Sequence, residues 1–179
     1  MRVIAGTLKG RRLKAPTWEG LRPTSDKLRE TLFNILAPRM EGARVLDGYA
    51  GTGAVGIEAL SRGAEMVTFV ETDRRAQALI AENLAHCGVE SGYAIIRAGV
   101  ERAVDDLPAA SLDIVFLDPP YDERVDAVIA AAAEVIAPGG VLVLEHARRQ
   151  KAPELAGRLI RVRQVTSGSS MLSFYSCPH

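Results

Sequence analysis

The chain has 179 residues, 47% hydrophobic and 25% charged, which excludes a disordered composition and leaves room for one ordinary domain but not two large ones. No apolar run approaches the roughly 20 residues of a membrane span; the richest, 127–137, carries Glu134 and stops at Pro138. The zero formal net charge conceals an asymmetry: residues 1–39 hold nine Lys or Arg against three acids (+6), leaving 13 against 19 (−6) for the remainder, and a basic arm on an acidic body points to a polyanionic partner.

The start, MRVIAGTLKGRRLKAP, predicts a small glycine-broken hairpin and lacks the apolar stretch of a secretory signal. In PTSDKLRETLFNILAP, Thr24 or Ser25 can cap a helix that ends before Pro38 and offers Leu28, Leu32 and Phe33 to a core. From Ala43 onward, β-rich runs at 43–49, 66–72, 93–98, 112–118 and 140–146 alternate with helical patterns at 54–62, 74–87, 100–106 and 123–137. Near-continuous apolar strands separated by amphipathic helices predict a parallel sheet covered on both faces. The PGG at 138–140 reads as the stop of the last helix. Residues 158–177 read as two strands turning around Gly168 with no helix between them, hence an antiparallel hairpin at one edge. There is no internal repeat, and the first 20 residues read as an appendage on one α/β domain. Cys87 and Cys177 form no CxxC or metal spacing, which fits a reducing cytoplasm, and no metal is expected.

The first strand empties into LDGYAGTGAVGIEAL, where Gly51, Gly53 and Gly56 match G-x-G-x-x-G between a strand and a helix. Glu71 ends the second strand about 20 residues on, where an acid binds ribose hydroxyls; Asp73 beside it suits a helix cap. The loop alone leaves NAD and S-adenosylmethionine open. Asp47 tips the balance: a dinucleotide sets its pyrophosphate on the helix N-terminus, where a neighbouring carboxylate repels it, whereas the amino acid end of S-adenosylmethionine is cationic. The three histidines, His86, His146 and His179, form no recognisable catalytic constellation.

DIVFLDPPYDER (113–124) runs a core strand into an acid, two prolines and a tyrosine. Ligands of open α/β sheets lie beyond the carboxyl ends of the strands, where strand order reverses, which puts Asp118 at the mouth of the cofactor crevice. The prolines stiffen the backbone and free carbonyls as acceptors, and Tyr121 offers a flat face. These parts suit a planar substrate with an exocyclic amine: the Asp118 carboxylate and Pro119 carbonyl take its hydrogens, and Tyr121 stacks on its ring.

VLDGYAGTGAVGIEALSRGA, DIVFLDPPY and GLRPTSDKLRETLFNIL together resemble the bacterial RsmD family, the 16S rRNA (guanine-N2)-methyltransferases, over nearly the whole chain, from RVIAGTLKGRRL to SSMLSFY. The resemblance implies a class I S-adenosylmethionine-dependent methyltransferase fold: a seven-stranded, mostly parallel Rossmann-like sheet with a C-terminal antiparallel hairpin at 21–179, behind a basic hairpin extension at 1–20. It implies transfer to the N2 amine of one guanine in 16S rRNA, with a 30S subunit or assembly intermediate as partner, and a cytoplasmic monomer. Carried over by position, Asp47, Tyr49, Ala50, Gly51, Thr52 and Gly53 face the cofactor's methionine end. Glu71 and Thr72 face its ribose, and Gly99 and Val100 its adenine. Asp118, Pro119, Pro120 and Tyr121 hold the guanine. Family members usually offer Asp or Asn to the adenine amine, but here Gly99 stands at that place, so either backbone groups or Glu101 read the adenine. Arg11, Arg12 and Lys14 on the hairpin, with Arg22, Thr24 and Arg29 at the following helix, are the RNA-binding candidates, since phosphate contacts position RNA without reading its sequence. Arg29 has a competing reading as one half of a structural ion pair with Glu30. The cluster Arg148, Arg149 and Lys151 reads as a solvated helix face.

Overall fold

In the computed structural model, which describes residues 1–120 and 124–178, Ser25 is extended and its hydroxyl accepts from the Leu28 amide, starting helix α1 (Asp26–Leu36). Leu28, Leu32 and Phe33 are buried along one stripe of that helix, and Pro38 falls in the short 3₁₀ turn that ends it. The chain then alternates through β1 (Arg44–Gly48), α2 (Ala54–Ser61), β2 (Met66–Val70), α3 (Arg74–His86), β3 (Tyr93–Ile96), α4 (Val100–Asp105), β4 (Leu112–Leu117), α5 (Val125–Ala133) and β5 (Ile136–Ala147). It closes with β6 (Leu155–Ala156), β7 (Leu159–Ser167) and β8 (Ser170–Ser176).

The sheet order is β3-β2-β1-β4-β5-β8-β7-β6, parallel through β5 and antiparallel beyond it. Side chains of successive residues leave opposite faces, and the sequence uses this to build two cores. Val45, Ile114, Phe116, Val141 and Val143 join α1, α2 and α3 on one face, while Leu46, Val115, Leu117, Leu142 and Leu144 join α4 and α5 on the other. Strand order reverses between β1 and β4, which opens a crevice at their carboxyl ends.

The expected class I methyltransferase architecture is present, with three adjustments. The sheet has eight strands rather than seven, because Leu155 and Ala156 pair with Ile160 and Leu159. The last helix stops at Ala133, not at the PGG; Val135 and Ile136 already hydrogen-bond or pair with Leu112. The register jumps from Leu112↔Ile136 to Ile114↔Val141, so Pro138–Gly140 is extra chain inserted within β5, with Arg39 donating to the Gly139 carbonyl at 2.8 Å. Arg148 and Arg149, on the turn after β5, and Lys151 just beyond it are exposed and lie on no helix.

The N-terminal segment makes one antiparallel bridge, Arg2↔Arg12, flanked by bonds from Val3 N to Arg11 O and from Leu13 N to Met1 O. Val3 and Leu13 are buried in the first core. The arm is sewn to α2 through Glu58, whose two carboxylate oxygens accept from the amides of Ile4 (2.8 Å) and Ala5 (3.0 Å).

Candidate active site at the carboxyl ends of the parallel strands

The glycine loop uses its own amides. Gly53, at φ +81°, caps α2 in a conformation that suits glycine, and Gly56 carries no side chain because a Cβ there would stand 2.3 Å from the Phe69 ring. Tyr49 is a non-glycine residue at φ +58°, the kind of strained backbone that concentrates at functional loops. Gly53 N donates to Ala50 O, Ala50 N to Val70 O, and Ala54 N to the Thr52 hydroxyl. Asp47 lies under this loop, 1% exposed, and its Oδ2 accepts from Gly56 N at 2.9 Å. The seat that a pyrophosphate takes at a helix N-terminus is therefore held by a side-chain carboxylate.

Four acids leave four strand ends in the same crevice. Asp47 is next to last in β1, Glu71 follows β2, Asp118 follows β4, and Glu145 lies near the end of β5. Glu71 is oriented by two amides: Gly51 N donates to Oε2 at 2.9 Å and Asp73 N to Oε1 at 3.2 Å, leaving a lone pair on each oxygen for diol hydroxyls. Asp73 caps α3, accepting from Arg75 N as its position suggests. Burial drives the Asp47 carboxyl well above its ordinary value; the Gly56 bond opposes this, and the negative fields of Asp118 and Glu71 add to it. Burial also raises Asp118 to about 6 and Glu145, beside it, to about 8. Among the described residues, the charged groups acting on Asp47 are both acids, Asp118 and Glu71, so the crevice gathers carboxyl groups suited to a cation that also carries hydroxyls.

Among the remaining expected site residues, Pro119 is half-buried and Pro120 exposed, while Tyr121 lies outside the described residues. Thr72 and Gly99 are exposed, and Gly99 begins α4 without a side-chain cap. Val100 is buried; its methyl approaches Gly48, so its side chain belongs to the second core. Glu101 is exposed in the first turn of α4.

On the basic arm, Arg11, Arg12, Lys14 and Arg22 are exposed and Thr24 is half-buried; Lys14 pairs with Glu82 of α3. Arg29 is a correction to the RNA-binding set. Its side chain is fully buried and donates to Glu58 Oε1 (3.2 Å), Asp26 Oδ1 (2.6 Å) and Arg2 O (2.8 Å), so it is an internal ion-pair residue and its partners are Glu58 and Asp26, not Glu30. The arm passes close to the crevice: Trp18 lies under the Arg75 guanidinium, 4.9 Å from the ring centroid, and Leu21 would touch a Cβ at Gly51.

Three positions escaped the sequence reading. Glu58 is the polar hub just described. Asn83, fully buried on α3, accepts from Lys14 N (2.7 Å) and donates to Lys14 O and to Thr52 O (3.0 Å), bridging arm and glycine loop. The only signal for it was an amide among Leu79, Ile80 and Leu84 on the core-facing side of the helix. Glu145 carried no motif at all.

The family model described as "Conserved hypothetical protein 95" matches residues 1–176. The chain is 38% identical over 180 residues to a Bacillus subtilis protein, YlbH, whose name proposes an rRNA methyltransferase, with 98% of each chain covered. It is 42% identical over 123 residues to the Haemophilus influenzae ribosomal RNA small subunit methyltransferase D; that alignment covers 68% of this chain and 64% of the relative, under two thirds of its length. Among solved structures, an Escherichia coli protein described as a proposed methyltransferase, yhhF, superposes with a TM-score of 0.87 at 29% identity, covering 99% of this chain and 97% of that one.

Proposed function

This chain belongs to the RsmD family, and from that premise we propose that it transfers a methyl group from S-adenosylmethionine to the exocyclic N2 amine of one guanine of 16S rRNA. The substrate is an assembled or partly assembled 30S particle, and the protein acts as a cytoplasmic monomer. The observation that carries the reading is the convergence of Asp47, Glu71 and Asp118 on one crevice, with Asp47 holding the Gly56 amide where a dinucleotide would need that amide for phosphate. This donor set fits S-adenosylmethionine: acids for a sulfonium and an ammonium, and an oriented carboxylate for a ribose diol.

When bound, S-adenosylmethionine supplies a methyl group on a positively charged sulfur. The chain's own residues do the rest. Glu71 orients the ribose hydroxyls, and Asp47 fixes the loop and contributes negative potential beneath it. Asp118 and the Pro119 carbonyl accept the hydrogens of the guanine amine, whose lone pair is otherwise delocalised into the ring; this favours a pyramidal nitrogen with its lone pair aimed at the methyl group. Tyr121 stacks on the base, a contact worth roughly 1–3 kcal/mol, and much of the acceleration is positioning. A paired guanine must first leave its stack or be offered from a loop. Arg11, Arg12, Lys14 and Arg22, with Thr24, grip phosphates beside the crevice.

The test is labelled methyl transfer to small-subunit particles from cells lacking this protein, with the modified base mapped. The expected product is one N2-methylguanine, absent with Asp118→Ala. Methylation of another atom, or unchanged transfer by Asp118→Ala, overturns the assignment.

A further inference from the structure

Leu117 and Leu144 are register partners on adjacent parallel strands. The next residues, Asp118 and Glu145, therefore emerge side by side at the lip of the crevice. Asp118 leaves the sheet with the proline break, whereas Glu145 remains in β5, opposite Leu172 of β8. Asp118, just past β4, and the Ser170 hydroxyl on β8 are the groups that act on its carboxyl, and no basic group from either strand does. Its Oε2 is buried without a hydrogen-bond partner among the described residues. An ionised oxygen in that position would lose its hydration with nothing in return; a protonated carboxyl beside a carboxylate resolves the conflict, because like charges at contact cannot both ionise.

Building on the methyl-transfer reading, we propose that Glu145 is the positioning partner of Asp118: it carries the proton of a shared acid pair and, by donating it, holds the Asp118 carboxylate toward the acceptor amine. The ordering of the pair agrees, with Asp118 the first to ionise, near 6, and Glu145 the second, near 8. As the N–C bond forms and the S–C bond breaks with its electron pair staying on sulfur, the amine nitrogen gains positive charge and releases one proton. Asp118 accepts it and passes it to solvent, while Glu145 keeps its own proton throughout.

Two measurements on the full chain test this. The first is the pH dependence of kcat, with saturating particles and S-adenosylmethionine, for the parent, Glu145→Ala and Glu145→Gln. The parent should rise through a limb near 6 and fall through one near 8. Glu145→Ala should lower kcat on the order of 10²-fold with the KM for particles little changed. Glu145→Gln, which still offers an N–H to Asp118, should recover most of that rate and abolish the alkaline limb. An alkaline limb that survives in Glu145→Gln, or full activity in Glu145→Ala, overturns the proposal. The second is a carbon NMR titration of side-chain carboxyls without substrate. One glutamate resonance should titrate near 8 and vanish in Glu145→Gln; if every glutamate titrates in the ordinary acidic range, the pair holds no proton and the proposal fails. A parent that transfers no methyl group to any particle refutes the functional reading instead, and the titration still decides the pair.

Discussion

Replacing Glu58 by alanine removes the acceptor of four donors at once: the amides of Ile4 and Ala5 and the guanidiniums of Arg29 and Arg62. Arg29 and Glu58 are both fully buried, so the substitution strands a guanidinium that keeps only Asp26 and the Arg2 carbonyl. Breaking a buried pair by removing one partner costs about 3–5 kcal/mol. The two arm amides add little beyond this, because the arm can lift and hydrate them. The expected loss is therefore about 4 kcal/mol, a large share of the 5–15 kcal/mol that holds a domain together. For a chain of this size that lowers Tm by roughly 8–16 °C. Urea unfolding followed by two probes resolves the events: far-UV dichroism reads the sheet, and fluorescence of Trp18, the single tryptophan, reads the arm against Arg75. Arg29→Met combined with Glu58→Leu removes both charges and should restore much of the sheet's stability, while the Trp18 signal melts early because Ile4 and Ala5 remain unheld. A cost below about 1 kcal/mol for Glu58→Ala, the scale of an exposed ion pair, would refute this account of the arm's attachment.

Gly56→Ala should cost about 1–3 kcal/mol through overpacking against Phe69 and Val67 and should weaken S-adenosylmethionine binding by displacing the amide held by Asp47, whereas Gly99→Ala, with open space around it, should leave stability unchanged; calorimetric unfolding and titration check both. Neutralising Arg11, Arg12 and Lys14 together should flatten the salt dependence of RNA binding by up to roughly 2 in slope and leave cofactor affinity unchanged; an equal loss of both affinities would make the arm structural. Glu145 holds its proton well above the ordinary value of 4.5, up to about 8, so between those limits the folded state binds more protons than the unfolded one and stability falls as pH rises. Glu145→Gln should therefore match the parent at acidic pH, gain on it progressively between those limits and lead it above about pH 8 by at most about 5 kcal/mol; urea midpoints that stay parallel across that range would contradict it.

Much of the sheet was legible because the parallel strands are β-rich apolar runs, two of them closed by an unmistakable break, the glycines after Asp47 and the prolines after Asp118. The two-residue β6 was not, since two residues carry no period. The PGG misled because the same residues that stop a helix can be an insertion within a strand; the pairing of Val135 and Ile136 with Leu112 decided it, and that is a tertiary fact. Asp47 was legible as an acid beside the glycine loop, but its grip on Gly56, nine residues on, belongs to the folded turn. Arg29 read as a phosphate contact or as half of a pair with Glu30, and nothing local marked Glu58; only the packing of two helices and the arm brings Arg29 and Glu58 together. Glu145 needed the β4–β5 register, which no local pattern states.

The outer margin of β7 has a consequence for how the protein survives at high concentration. Strand β6 shields only Leu159 and Ile160, and just beyond it the pairing with β8 slips by one residue between Arg161 and Arg163, pushing Val162 outward. A kinked border studded with guanidiniums offers no straight row of amides and carbonyls onto which a stray chain could zip. The opposite border, β3, is only four residues long. Ribbon-like growth of one copy upon another is discouraged at both flanks.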